Sequence, residues 1–319
     1  MVSPFIFCNF AAFMKHIVIM ILAGLLLTAC GNSYEETKRA TRQQRLAEAR
    51  KDSAALKIAV MPTLDCLPLY VAQHYQLFDT LNGGVRLKYY TAQMDCDSAL
   101  ERGRVEGAVT DLVRAMNMDR KGTKMRYVTV TNAYWQLVTN RNARIKQLKQ
   151  LEDKMVAMTR YSVTDMLADR ATDSAKLDKD HVFKVQVNDV FVRMQMLQNN
   201  IMDALCFTEP QATMARQMKH QVVLDTRSLG WQMGVMAFNE KEMRRQARSK
   251  QLTLFVDAYN HACDSINKYG VLHYRSLIKE RCRMKNEQID ELPKDMKYPY
   301  AKGPRQQDID VVTKWLEKK

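Results

Sequence analysis

Two stretches of this chain put a threonine and an acid where an apolar strand gives way to a helix. Gly107-Ala108-Val109 runs into Thr110-Asp111, and Ala204-Leu205-Cys206-Phe207 runs into Thr208-Glu209. In open α/β sheets ligands sit beyond the carboxyl ends of such strands, so a matched pair reads as two facing half-sites. Threonine and aspartate are also good helix N-caps, and the same residues serve that purpose with no ligand at all. A third motif, Ser162-Val163-Thr164-Asp165, has the spacing of a capped helix start, whose free N–H groups attract anions. Arg160 stands just ahead of it, and a guanidinium can grip carboxylate, sulfonate or phosphate through two parallel bonds. The alternative is a surface arginine beside an ordinary cap.

Other chemistry is excluded by what is missing. The sequence holds no G-x-S-x-G elbow, no phosphate-cradling glycine loop, no H-E-x-x-H and no C-x-x-C. The six histidines (16, 74, 181, 220, 261 and 273) are scattered, with no nucleophile beside them. The 21 methionines invite a copper(I) site, but they are spread along the chain without an M-x-x-M-type cluster and read as core filling. No enzyme, cofactor or metal is expected. The charge of +14, from 49 Lys and Arg against 35 Asp and Glu, is dispersed rather than blocked with aromatics. It therefore reads as a solvated basic surface suited to anionic lipid headgroups and not to nucleic acid.

The elements that would position these residues begin after a leader. Lys15 and His16 precede the uncharged run Ile17–Ala29, too short to span a membrane comfortably and typical of a secretory signal. The run ends in Leu27-Thr28-Ala29-Cys30-Gly31, which resembles a bacterial lipobox, with small residues at the cut and a thiol that takes lipid. Residues 1–29 are expected to be removed, with translation starting at Met1 or Met14. Cys30 is expected to carry acyl chains, palmitate among them. Several chains make a stable anchor where one does not. Residues 30–55 lack bulky apolar side chains and read as the lipidated cysteine and a flexible, partly helical tether.

From residue 56 onward, short apolar runs alternate with helical stretches, the grammar of a parallel α/β fold. The strands fall at 57–61, 85–90, 107–110 and 126–131. After a Lys-rich stretch at 146–154 they recur at 155–158, 183–187, 204–207, 221–224 and 233–238. A stripe of Leu252, Phe255, Val256, Tyr259, Cys263 and Ile266 marks a helical tail. The expected organisation is lobe 1 over 56–145, lobe 2 over 146–238, and 239–319 returning to lobe 1, with crossovers near 132–150 and 226–238. Cys66 and Cys96 fall in loops after neighbouring strands, and an exported compartment permits a disulfide between them.

The stretch from Lys57 to Ala72, KIAVMPTLDCLPLYVA, resembles the opening strand and helix of the solute-binding lipoproteins of ABC importers for nitrate, sulfonates, taurine and thiamine-precursor pyrimidines. The likeness continues through Gly103–Asp111, Asp189–Met202, Thr208-Glu209-Pro210 and Gly234–Phe238, over roughly residues 56–318. It implies the type II periplasmic-binding fold: two α/β lobes, a two-crossover hinge and a helical C-terminal tail. It implies a ligand pocket at Thr63, Leu64, Asp65, Met94, Thr110, Asp111, Asn132, Tyr134, Trp135, Arg160, Tyr161, Ser162 and Glu209. Asp65, Asp111 and Glu209 argue against a purely anionic ligand, and any one left free of its own helix suits an amino or ring N–H group. Tyr134 and Trp135 can stack on a planar ligand or simply pack the crossover. The implied partners are a small solute, an inner-membrane ABC permease and the membrane that holds the lipid, facing the periplasm. Enzymes of this fold exist among intracellular pyrimidine synthases and menaquinone-pathway proteins. The synthases carry a cysteine-rich motif that this chain lacks, leaving a ligand-free, partner-binding lipoprotein as the main alternative.

Overall fold

A computed structural model of the chain describes residues 34–78, 84–245 and 248–319; the leader and Cys30 lie outside them. Among the described residues no helix is long and apolar enough to cross a membrane. Among the described residues, 34–53 belong to one unit and those from 54 onward to another. The expected tether is one 21-residue helix, α1 (Tyr34–Ala54), because Ala, Arg, Gln, Glu and Lys fill it and all favour helix. Every side chain from Lys38 to Arg50 is exposed.

The second unit opens with β1 (Leu56–Val60), followed by α2 (Leu67–His74), β2 (Val85–Tyr89), α3 (Gln93–Glu101), β3 (Gly107–Asp111), α4 (Leu112–Arg120) and β4 (Met125–Val130). It continues through β5 (Gln136–Thr139), β6 (Lys154–Met158), α5 (Val163–Ala175), β7 (Val182–Gln186), α6 (Val190–Gln198), β8 (Ala204–Phe207), α7 (Gln211–Gln217), β9 (Gln221–Asp225) and β10 (Gly234–Asn239). The tail holds α8 (Arg248–Tyr269), α9 (Arg275–Cys282) and α10 (Gln306–Leu316).

The strands form two five-stranded sheets, ordered β2-β1-β3-β10-β4 and β7-β6-β8-β5-β9. In each sheet four strands share one direction and the fourth in order opposes them: β10 is antiparallel to β3 and β4, and β5 to β8 and β9. Those opposing strands are exchanged. The chain leaves the first sheet after Val130 and enters the second with β5; it leaves the second after Asp225 and returns with β10. The sequence pattern placed 136–145 in lobe 1 and 233–238 in lobe 2, so both opposing strands change sides in the structure. Gln136-Leu137-Val138-Thr139 is wholly buried between β8 and β9. A four-residue run with polar ends carries no period that would reveal it as a strand.

Small residues let β3 and β10 pair closely within the first sheet. Gly107 lies opposite Phe238 in the register and Ala108 opposite Ala237, and a Cβ on Gly107 would lie 2.6 Å from the Phe238 ring. The tail is fastened by charge as well as by its apolar stripe. Arg248, at the start of α8, pairs with Glu106 at 2.8 Å, and the other Glu106 oxygen accepts the Lys57 N–H at 2.7 Å. Val312 and Leu316 of α10, Leu112 and Val113 of α4, and Val163 and Met166 of α5 share one apolar cluster that joins the two lobes.

Cys66, Cys96, Cys206, Cys263 and Cys282 are all buried and free, so the expected Cys66–Cys96 bridge is not formed. The Cys66 sulfur instead faces its own turn, 3.5 Å from the Met61 nitrogen and 3.7 Å from the Thr63 hydroxyl. Burial pushes the Cys96 thiol up to about 12.

Replacing Gly107 with alanine forces the Phe238 ring to move within a filled core and should cost about 1–3 kcal/mol. Gly303→Ala, where a Cβ meets nothing within 4 Å, is the matched control. Urea unfolding curves should show a lowered midpoint for the first and little change for the second. Equal midpoints would mean the sheet tolerates the methyl group.

Candidate functional site

A cavity of about 60 Å³ lies between the sheets, at the carboxyl ends of their strands. Lobe 1 contributes Met61, Thr63 and Asp65 from the loop after β1, Gln93 from the start of α3, and Thr110 and Asp111 from the end of β3. Lobe 2 contributes Thr159, Ser162 and Thr164 around the start of α5, Asn188, Val190 and Arg193 at α6, and Thr208 after β8; Trp135 of the first crossover completes the wall.

The helix start read as an anion site is filled from within. Ser162 Oγ accepts the Thr164 N–H at 3.1 Å and so caps its own helix. The Val163 N–H donates at 3.1 Å to Oδ1 of Asp111, and the same oxygen accepts the Arg114 N–H of α4 at 3.0 Å. One carboxylate of lobe 1 thus serves a helix start in each lobe, in the place an incoming anion would take. Burial pushes the Asp111 carboxyl up to about 7, against the pull of those N–H groups.

Arg160 does not face this cavity. Its side chain is exposed, its carbonyl accepts from Arg114 Nη1 at 3.3 Å, and it borders an outer depression with Tyr161, Met94 and Gln186. Tyr161 and Met94 are 39% and 40% exposed, and Met94 Sδ accepts from Gln186 Nε2 at 3.0 Å. Asn132 and Tyr134 line a separate cavity of about 370 Å³ on the hinge side, with Trp231 and Tyr298. Tyr134 donates to Glu209 at 2.6 Å, while the Arg227 guanidinium lies 3.7 Å over its ring. Glu209 is fully engaged: it also accepts from the Thr213 N–H at 3.0 Å, the Thr213 hydroxyl at 2.7 Å and Arg216 Nη2 at 2.6 Å. Leu64 is buried, and its N–H donates to the Glu209 carbonyl at 2.9 Å. Leu64 and Glu209 bond across the lobes, and none of these residues lines the cavity between the sheets. Of the expected set, Thr63, Asp65, Thr110, Asp111, Trp135 and Ser162 line it.

Further bonds cross the cleft directly. The Val190 N–H donates to the Thr91 carbonyl at 3.1 Å, Thr91 Oγ1 donates to Asp189, and Gln211 Nε2 donates to the Pro62 carbonyl at 3.0 Å. Arg114 pairs with Asp97 inside lobe 1, both nearly buried.

Sequence reasoning missed Arg193. Its Nε donates to the Val187 carbonyl at 2.7 Å, Nη1 to the Cys206 carbonyl at 2.9 Å, and Nη2 to Thr159 Oγ1. The side chain is 6% exposed, and burial lowers its guanidinium to about 10. The available signal was an arginine set between Val192 and Met194, beside the apolar face of α6, where a charge needs a buried reason to stand.

Residues 63–269 match the protein family described as NMT1/THI5 like. Among curated proteins none matches the chain. Solved structures share its fold. The alkanesulfonate-binding protein SsuA of Xanthomonas axonopodis pv. citri, bound to MOPS, is similar at 12% identity, over 83% of this chain and 92% of that one, with a TM-score of 0.71. The aliphatic sulphonate-binding SsuA of Escherichia coli is 15% identical over 83% and 87%, with a TM-score of 0.66. The nitrate-binding NrtA of Synechocystis PCC 6803 is 14% identical over 80% and 74%, with a TM-score of 0.59. The fold is therefore that of the periplasmic binding proteins.

Because the Asp111 carboxyl is raised from 3.8 to about 7, the folded state holds its proton more tightly than the unfolded chain. Its contribution is present in full below about pH 4 and is lost as pH rises through 7. The unfolding free energy of the wild type, relative to Asp111→Asn, should fall by a few kcal/mol, at about 1.4 per pKa unit, between pH 4 and 7.5. Urea titrations at several pH values check this, and parallel curves for the two proteins would refute it.

Proposed function

The chain belongs to the NMT1/THI5-like family, and from that premise we propose that it is the lipid-anchored solute-binding component of an ABC importer. The observation that carries the reading is the cavity between the strand ends of two lobes joined by two crossovers. A solute there touches both lobes at once and so favours the closed form over the open one. The inner-membrane permease would recognise the closed form. Anchoring through Cys30 places the receptor at the membrane, facing the periplasm, with α1 as the spacer between the lipid and the binding unit. Hydrogen-bonding side chains share the cavity wall with Met61, Val109, Trp135 and Val190, which suits a small solute with both polar and apolar parts.

A second reading draws support from the direct bonds across the cleft, above all Asp111 at the start of α5. Lobes that satisfy each other's polar groups suit a lipoprotein that docks on a partner protein and carries no cargo.

A thermal-shift screen separates the two. The panel holds alkanesulfonates, nitrate, aminopyrimidines, thiamine, riboflavin, amino acids and taurine. A true ligand at 100 times its dissociation constant should add roughly 2.7 kcal/mol of stability. No shift from any class would favour the partner-binding reading. Anchoring is checked separately: labelled palmitate should enter the wild type and not Cys30→Ala, which should leave the membrane fraction. Equal labelling of both would refute the assignment.

A further inference from the structure

Three charged groups border the cavity, Asp65, Asp111 and Arg193, and none of them has a counter-charge among the described residues. Asp111 is shared between two helix starts. Asp189, whose field reaches Arg193, is taken up by Thr91 and by the Phe191 and Val192 N–H groups at 2.8 and 3.0 Å. Unlike Asp111, Asp65 and Arg193 are bonded only within their own lobes; they have opposite signs and sit in opposite lobes. Asp65 is 7% exposed; its partners are neutral, the Thr131 hydroxyl at 3.3 Å together with Thr63 and N–H groups of its own turn, and burial raises its carboxyl. Arg193 uses three of its N–H groups on two carbonyls and a hydroxyl. A guanidinium carries five, so two remain, and no carboxylate pairs with it among the described residues.

An unpaired buried charge is costly, and a buried anion and cation facing one cavity are both relieved by a ligand that carries the complementary pair. We propose that the cargo is a small zwitterion, with its ammonium group on Asp65 and its carboxylate or sulfonate on Arg193. This rests on the solute-receptor reading above and narrows it. Anionic solutes without an amine leave Asp65 unmatched and find the α5 start already occupied by Asp111. The cavity of about 60 Å³ limits the size; at roughly 10–15 Å³ per water-sized group it holds about four to six such groups. The ligand also bridges the lobes, Asp65 lying after β1 and Arg193 on α6, so the same two contacts that select it draw the lobes together.

The test is calorimetric titration of the purified protein with glycine, β-alanine, 4-aminobutyrate and taurine. Each is set against its anion without the amine (acetate, propionate, butyrate, ethanesulfonate) and its amine without the acid (methylamine, ethylamine, propylamine). The expected result is that the best zwitterion binds at least ten-fold tighter than both of its analogues. Asp65→Asn, which keeps the side-chain shape, should then remove at least ten-fold of that affinity while leaving the amine-free anion unchanged. If that variant does not fold, the wild-type series alone decides. An anion that binds as well as its zwitterion overturns the proposal and leaves the receptor reading standing. So does silence from every zwitterion while a member of the wider screen binds. Silence from both panels overturns the two together.

Discussion

A charge taken out of water must find a counter-group, accept several N–H bonds or give up its charge, and the region between the two lobes is organised by that requirement. Asp97 meets Arg114, Glu209 meets Arg216, and Asp111 draws on the N–H groups of two helices. Each solution fixes a piece of backbone. Glu209 ties α7 to Tyr134 and hence to the first crossover. Asp111 ties the end of β3 to the start of α5 in the other lobe. Farther from the cleft, Glu106 and Arg248 fasten the tail helix to the first sheet in the same way. The apolar cores hold each lobe together, and the lobes meet through polar groups and the apolar cluster shared by α4, α5 and α10.

The exchanged strands make that meeting sensitive. β5 and β10 each run antiparallel in the sheet to which the chain has just crossed, so both crossovers are anchored at either end by ladder hydrogen bonds. The chain passes between the two sheets through residues 131–135 and 226–233. The first of these segments carries Tyr134, whose hydroxyl is held by Glu209, and Trp135, which borders the cavity. A change at the cavity wall therefore reaches a hinge segment within one residue.

Much of the architecture was legible in the sequence because it rests on local patterns. The alternation of apolar strands with helices located nine of the ten strands, and the apolar stripe of α8 was read residue by residue. What the pattern lacked was β5, too short and too polar at its ends to have a period, and with it the exchange of β5 and β10 between sheets. Strand order is set by pairing between distant segments, which no local signal encodes. The site divides along the same line. Thr110, Asp111 and Ser162 line the cavity, and they were legible because strand ends and helix starts are local features. Arg160 was misplaced because adjacency to a helix start says nothing about which way a side chain leaves the turn. Arg193 was missed because its burial comes from Val187, Cys206 and Thr159, three segments that meet only in the folded chain. The Cys66–Cys96 pairing failed for a related reason: Cys96 lies within α3 and not in a loop, and the Cys66 sulfur faces its own turn.

The arrangement of the lobes follows from the same contacts. Direct bonds across the cleft, at about 0.5–1.5 kcal/mol each in net terms, hold the lobes as they are seen. A solute shifts the balance between open and closed lobes only by its differential affinity for the two forms. Groups already matched across the lobes, such as Asp111 with Val163, give a solute nothing to gain, and their bonds must be broken for it to enter. Charged groups bonded only within their own lobe give it the most. On the proposed reading, specificity and closure share one short set of buried charges: those bonded across the lobes hold the resting geometry, and Asp65 and Arg193 determine what can improve on it.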